Sequence, residues 1–156
     1  MDIDQSLIFN LLVVAFLLFS NGFFVASEFA FVSIRKTRIS QLTNEGNTDA
    51  KIALGGIEHL DKTIAAVQLG ITISSIGLGW VGESTLVRLI EPIFTFLPQA
   101  WRGFATHSLA VTLAFSLITF MHVVIGELMP KSIALQFPER TTLFVARPMY
   151  AITKIF

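Results

Sequence analysis

Three long stretches of this chain carry no charged side chain: Gln5–Ser27, Thr63–Gly82 and Gly103–Gly126. Each is close to the roughly 20 residues that a helix needs to cross the hydrocarbon core of a bilayer. In lipid, no water is available to pair a free backbone N–H or C=O, and a helix satisfies these groups within the run itself. Three of them predict an all-α membrane protein with three transmembrane helices. Composition agrees. Hydrophobic residues make up 53% of the chain, 15 residues are Phe, and only 14% are charged, against roughly 25% in soluble domains. There is no cysteine, which excludes disulfides, thiolate metal sites and Cys nucleophiles. The formal net charge is zero, so no basic field points to nucleic acid.

The first span is expected over residues 5–34, because the apolar run resumes after Glu28. The N-terminus, Met-Asp-Ile-Asp-Gln, lacks the positive region of a secretory signal, so this block should remain in the mature chain. The second span is expected over 63–82 and the third over 103–127. Residues 36–61 and 138–156 mix apolar and basic side chains and read as juxtamembrane amphipathic helices on the membrane surface. Asn44-Glu-Gly-Asn47 marks a turn within the first of these segments, and Pro148 a break in the second. Residues 83–98 are too short and too charged to span, and read as a short half-inserted helix. Trp80 and Trp101 bracket it as interface residues.

Lys and Arg are unevenly shared. Residues 35–62 hold five and the segment after the third span four, whereas the N-terminal end has none and the loop between spans two and three has two. By the positive-inside rule the N-terminus lies outside and the C-terminus in the cytoplasm, in a multi-pass protein of the plasma membrane.

The spans are too polar for simple anchors. The first carries Ser20, Asn21, Ser27 and Glu28. The second carries Ser74 and Ser75 within Ser-Ser-Ile-Gly-Leu-Gly, which reads either as close helix packing or as a broken segment. The third ends in Gly126-Glu127-Leu-Met-Pro130-Lys131. Pro130 has no N–H, and its ring clashes with the carbonyl four residues back, that of Gly126. A carbonyl without its helical partner then lies beside the Glu127 carboxylate. An ionisable group at such a place is a functional-site hypothesis. Hydroxyl, amide, carbonyl and carboxylate oxygens together suit a hard divalent cation such as Mg²⁺.

The competing readings are plain ones. Serines in membrane helices often bond the carbonyl four residues back, and Glu127 could pair with Lys131 four residues on. His122 reads as a helix-contact residue, with a proton relay as the alternative. A serine–histidine intramembrane protease lacks any nucleophile-elbow pattern, and no enzymatic activity is expected.

Asn21-Gly-Phe-Phe-Val-Ala-Ser27-Glu28, Ser74-Ser-Ile-Gly-Leu-Gly-Trp80 and Gly126-Glu-Leu-Met-Pro-Lys-Ser132 resemble, in order, the three span motifs of the CorC and cyclin M (CNNM) family. The resemblance covers essentially the whole chain, residues 1–156. It implies a homodimeric domain that transports Mg²⁺, in the export direction and with Na⁺ as a candidate coupling ion. It implies ion ligands from Ser20 or Asn21, Ser74 or Ser75, and Gly126 with Glu127. Val25 stands where many relatives have a small hydroxyl, which shifts weight to Ser27 or Ser20. Relatives continue into cytoplasmic CBS modules that bind ATP. These are absent from this chain, which is therefore expected to be the membrane part of a longer protein. The alternatives are a Mg²⁺-sensing scaffold that binds without transport, and a membrane anchor that binds no ion. Faces containing Phe23, Phe24, Phe115 and Phe120 are apolar enough for either a dimer or lipid.

Overall fold

A computed structural model describes residues 5–96 and 104–156. Among them every element is helical: α1 (Gln5–Ser33), α2 (Lys36–Asn44), α3 (Thr48–Glu58), α4 (Leu60–Ile90), a 3₁₀ segment (Glu91–Phe96), α5 (Phe104–Met121), a π-helical turn (His122–Leu128), α6 (Met129–Gln136) and α7 (Pro138–Ile155). Three helical stretches are long and apolar enough to cross a membrane: Gln5–Ser33, Leu60–Phe94 and His107–Gln136. The chain is a multi-pass membrane protein.

The first span matches its expected bounds almost to the residue. The second does not stop at Gly82. Helix α4 runs on through Glu83 to Ile90, so no separate half-inserted helix starts at Glu83. What remains of that expectation is the 3₁₀ segment Glu91–Phe96; Pro98 and Trp101 lie outside the described residues. The third span does not stop at Glu127 either. The π turn absorbs Pro130 and passes directly into α6. Glu127 therefore lies inside a continuous helical stretch, well short of its end at Gln136.

Two apolar clusters hold the bundle, one on each side of its middle. Val14, Leu18, Leu78, Leu86, Ala114 and Ile118 join α1, α4 and α5. Phe31, Ile39, Ala50, Ala53, Val67, Val145, Ala146 and Met149 join the end of α1 and the start of α4 to α2, α3 and α7. The second cluster is the core of a belt of short helices. Its α2–α3 turn falls at Asn44–Asn47 as the sequence indicates. Gly46 takes a φ of 89°, a left-handed conformation that only glycine adopts without cost. Asn47 then caps α3 by accepting the Ala50 N–H at 3.0 Å. Helix α7 is unbroken at Pro148. Its inward residues Thr142, Val145, Ala146 and Met149 recur at helical spacing and bind it to the belt core, which outweighs one missing hydrogen bond.

Glycine sets the distance between α1 and α4. A methyl group on Gly70 would lie 2.4 Å from the Phe24 ring. Helix α4 is continuous through Ser74–Gly79, so the segment is not a break; Gly77 within it packs closely against Leu17. Phe23 and Phe24 contact each other edge-on at 5.4 Å and pack against the belt core, which removes Phe24 from the candidate outer surface. Phe115 and Phe120 remain exposed, as do Phe9, Phe16 and Phe19. In a membrane span these are the lipid-facing or partner-facing positions.

Candidate functional site

The polar residues of all three spans meet between the two apolar clusters. Ser20 and Asn21 lie near the middle of α1, and Ser74 and Ser75 near the middle of α4. Antiparallel packing of these helices brings the pairs to one depth. Ser74 donates its hydroxyl to Ser20 Oγ at 3.2 Å, and Ser75 donates to Asn21 Oδ1 at 3.1 Å. Asn21 is fully buried. Its Nδ2 donates to the Gly126 carbonyl at 2.9 Å.

That last bond answers the question raised by Pro130. In an α-helix the Gly126 carbonyl would accept from residue 130, which has no N–H to give. The chain relaxes into a π turn, where Met129 N–H reaches the Val124 carbonyl five residues back. The Gly126 oxygen turns to the Asn21 amide. The neighbouring residue completes the joint: a methyl group on Gly22 would stand 3.0 Å from Pro130 Cγ. Asn21 thus receives the carbonyl that proline orphaned, and Gly22 makes room for the proline ring. Gly126 is equally constrained, since a methyl group there would come within 2.9 Å of His122 Cδ2 and 3.1 Å of Asn21 Nδ2.

His122 is the residue whose part sequence reasoning understated. Its Nε2 lies 3.4 Å from Ser75 Oγ and 3.6 Å from Glu127 Oε1. It connects the buried network to the Glu127 carboxylate. The signal was the five-residue spacing between His122 and Glu127, which a π turn brings into register. Lys131 does not pair with Glu127; its ammonium sits 4.5 Å from the centre of the Phe29 ring. Glu127 is half exposed on the single chain.

Two of the named polar residues lie elsewhere. Ser27 is fully buried but donates to the carbonyl of Phe23 at 2.7 Å, about two helical turns from Ser20. It stands outside the network, in the back-bonded state common for serine in membrane helices. Glu28 accepts from Gln68 Nε2 at 2.7 Å and so joins α1 to α4 on the belt side.

A cavity of about 280 Å³ opens beside this network between α4 and α5, lined by Ser75, Gly79, Glu83, Thr119 and His122 with Leu78, Phe115 and Ile118. No cluster of three or more His, Asp or Glu side chains suited to a metal occurs among the described residues. The chemistry on offer at the network is the Glu127 carboxylate, the His122 imidazole and a set of neutral oxygens, with Glu83 further along the cavity.

Residues 12–156 match the family described as CNNM, the cyclin M transmembrane N-terminal domain. Among curated proteins, the chain is 46% identical over 142 residues to UPF0053 protein YhdP of Bacillus subtilis, covering 91% of this chain and 32% of that protein. It is 45% identical over 148 residues to UPF0053 protein YhdT of the same organism, covering 95% of this chain and 31% of that protein. It is 30% identical over 141 residues to a protein named Polyamine export protein from Haemophilus influenzae, covering 90% of this chain and 32% of that protein. The chain thus spans about a third of the length of these relatives.

Proposed function

From the premise that this chain belongs to the cyclin M transmembrane-domain family, we propose that it carries Mg²⁺ across the plasma membrane. The proposed direction is export, and Na⁺ is the proposed coupling ion. The observation that carries the reading is the meeting of three span motifs at one depth, with Asn21 bridging Ser75 and the Gly126 carbonyl. The proposed ligands are Glu127, the Gly126 carbonyl, Asn21 Oδ1, Ser75, and Ser74 or Ser20. Ser27 is omitted because it bonds its own helix.

The physical case is one of exchange. These groups hydrogen-bond one another, Asn21 Nδ2 to the Gly126 carbonyl and the Ser75 hydroxyl to Asn21 Oδ1, which stabilises the network in a low-dielectric layer. A cation would take over the bonds now made by Asn21 Nδ2 and the Ser75 hydroxyl. Mg²⁺ requires near-octahedral oxygen at roughly 2.0–2.1 Å and gives up water reluctantly. A single carboxylate offsets only half its charge, so binding stays weak enough for turnover. The protein is proposed to work as a homodimer, with its Lys- and Arg-rich belt on the cytoplasmic side. ATP would act only through cytoplasmic modules of a longer protein.

The test is calorimetric titration of Mg²⁺ into the purified protein and its Glu127→Gln variant in Na⁺-free detergent, followed by flux in proteoliposomes. Saturable heat in the wild type, lost in the variant, together with Mg²⁺ movement, supports the reading. No saturable heat in either protein overturns it. Binding without flux identifies a sensor or scaffold instead. A second reading comes from the Haemophilus relative's name and from the cavity that separates Glu83 from His122: the cargo is a linear organic diamine. Saturable heat and flux with 1,4-diaminobutane, and none with Mg²⁺, would select it.

A further inference from the structure

The cavity between α4 and α5 leads away from the site to a carboxylate with no assigned role. Glu83 is the first charged residue after the uncharged stretch of the second span, and α4 carries it inside the helix and not in a loop. It is partly buried. It has no hydrogen bond or ion pair among the described residues. It lines the same cavity as Ser75 and His122. Ser75 and Glu83 are eight residues apart on one helix, about 12 Å along its axis, on the side away from the belt.

Two further features mark this passage as polar and open. Thr112 and Ser116 on α5 turn back to the carbonyls of Ser108 and Thr112 at 2.8 Å. Thr119, which faces the cavity, makes no such bond and keeps its hydroxyl available. Gly79 stands between Ser75 and Glu83, and a methyl group there would meet nothing within 4 Å. Its lack of a side chain widens the passage without being required by packing. A carboxylate and a hydroxyl with no partner among the described residues, together with an imidazole, thus line one continuous cavity.

We infer that Glu83 is an outer cation station, which gathers a hydrated cation in the α4–α5 cavity and passes it between the bulk phase and the site at Ser75, His122 and Glu127. The inference rests on the cation-transport reading. A charged group in a cleft with low-dielectric walls raises the local concentration of its counter-ion. A carboxylate within a membrane-spanning helix, beside a cavity, marks a candidate ion pathway. Thr119 supplies an oxygen for the hydrated ion on the way to His122.

The test uses the absence of native cysteine. Gly79→Cys places one thiol in the cavity of the full chain in detergent at low ionic strength. Its rate of modification by a cationic methanethiosulfonate is divided by that by a neutral one, each normalised to a free thiol in the same micelles. The expected ratio is above one, falls about threefold or more on adding Glu83→Gln, is kept by Glu83→Asp, and is lowered by millimolar Mg²⁺ only while Glu83 is present. A ratio unaffected by Glu83→Gln overturns the inference, as does Mg²⁺ sensitivity that survives it. Repeating the measurement with Glu127→Gln separates the two sites. The ratio should persist there, so failure of the central Mg²⁺ site and failure of the Glu83 station give different patterns.

Discussion

Asn21 and Gly126 are 105 residues apart in sequence and joined by a 2.9 Å hydrogen bond from the Asn21 amide to the Gly126 carbonyl. The bond fastens α1 to the π turn of the third span, at the level where α4 contributes Ser75. It fixes the relative depth of three membrane helices with one side chain.

Replacing Asn21 by Leu keeps much of its volume but removes both bonds. The buried Gly126 carbonyl loses its donor, and the Ser75 hydroxyl its acceptor. Leaving a buried polar group unpaired costs about 1–3 kcal/mol. Asn21→Leu should therefore unfold in detergent at a midpoint several degrees below wild type. An unchanged midpoint would show that the bond contributes nothing to holding the spans together.

Gly70 tests the packing that delivers the site. Gly70→Ala puts a methyl group 2.4 Å from the Phe24 ring, so the ring must leave its packed position or α1 must move away from α4. Overpacking of this kind costs about 1–3 kcal/mol. Gly79→Ala meets nothing within 4 Å and serves as the control. Thermal unfolding should separate them, with Gly70→Ala clearly lower. Equal midpoints would mean that the α1–α4 approach is looser than the Phe24 contact implies.

The belt has a pH-sensitive clasp between α2 and α7. Arg38 donates from Nε to Glu139 Oε2 at 2.9 Å and from Nη2 to Oε1 at 3.4 Å. These bonds, and then the guanidinium charge, outweigh the opposing effect of burial and hold the Glu139 carboxyl below its ordinary range. A carboxyl whose folded pKa is depressed stabilises fully above the unfolded value, about 4.3. That contribution fades as pH falls through the folded value. Both groups are well exposed, so the effect is small and local. Glu139→Gln should lower amide-exchange protection in the first turns of α7 at pH 7. The difference should fade as the pH falls through the folded value and the wild-type carboxyl itself becomes protonated. A difference that persists unchanged in acid would rule out the ionised pair as its cause.

Much of this architecture is written locally. The uncharged runs indicate three spans, because apolar length against bilayer thickness is a property of each segment alone. Asn44–Asn47 announces its turn through Gly46 and its cap through Asn47. Pro130 announces an orphaned carbonyl at Gly126 from covalent chemistry alone. Where the reading stopped short, the cause was packing. Glu127 looked like the end of a span because it is the first charge after the uncharged run, yet a π turn carries the helix on to Gln136. Lys131 lay at the right spacing to pair with Glu127, but Phe29 on another helix took it.

The sequence by itself determined the number of spans, the kinds of oxygen they carry and the carbonyl that proline would leave without a partner. Only the tertiary structure decided that Asn21 would meet that carbonyl, that His122 would stand between Ser75 and Glu127, and that Ser27 would bond its own helix. Hydrophobic length and missing N–H groups act within a few residues. Which side chains share a depth depends on how far helices slide and rotate. That is set by contacts between distant residues, such as Gly70 with Phe24 and Gly22 with Pro130.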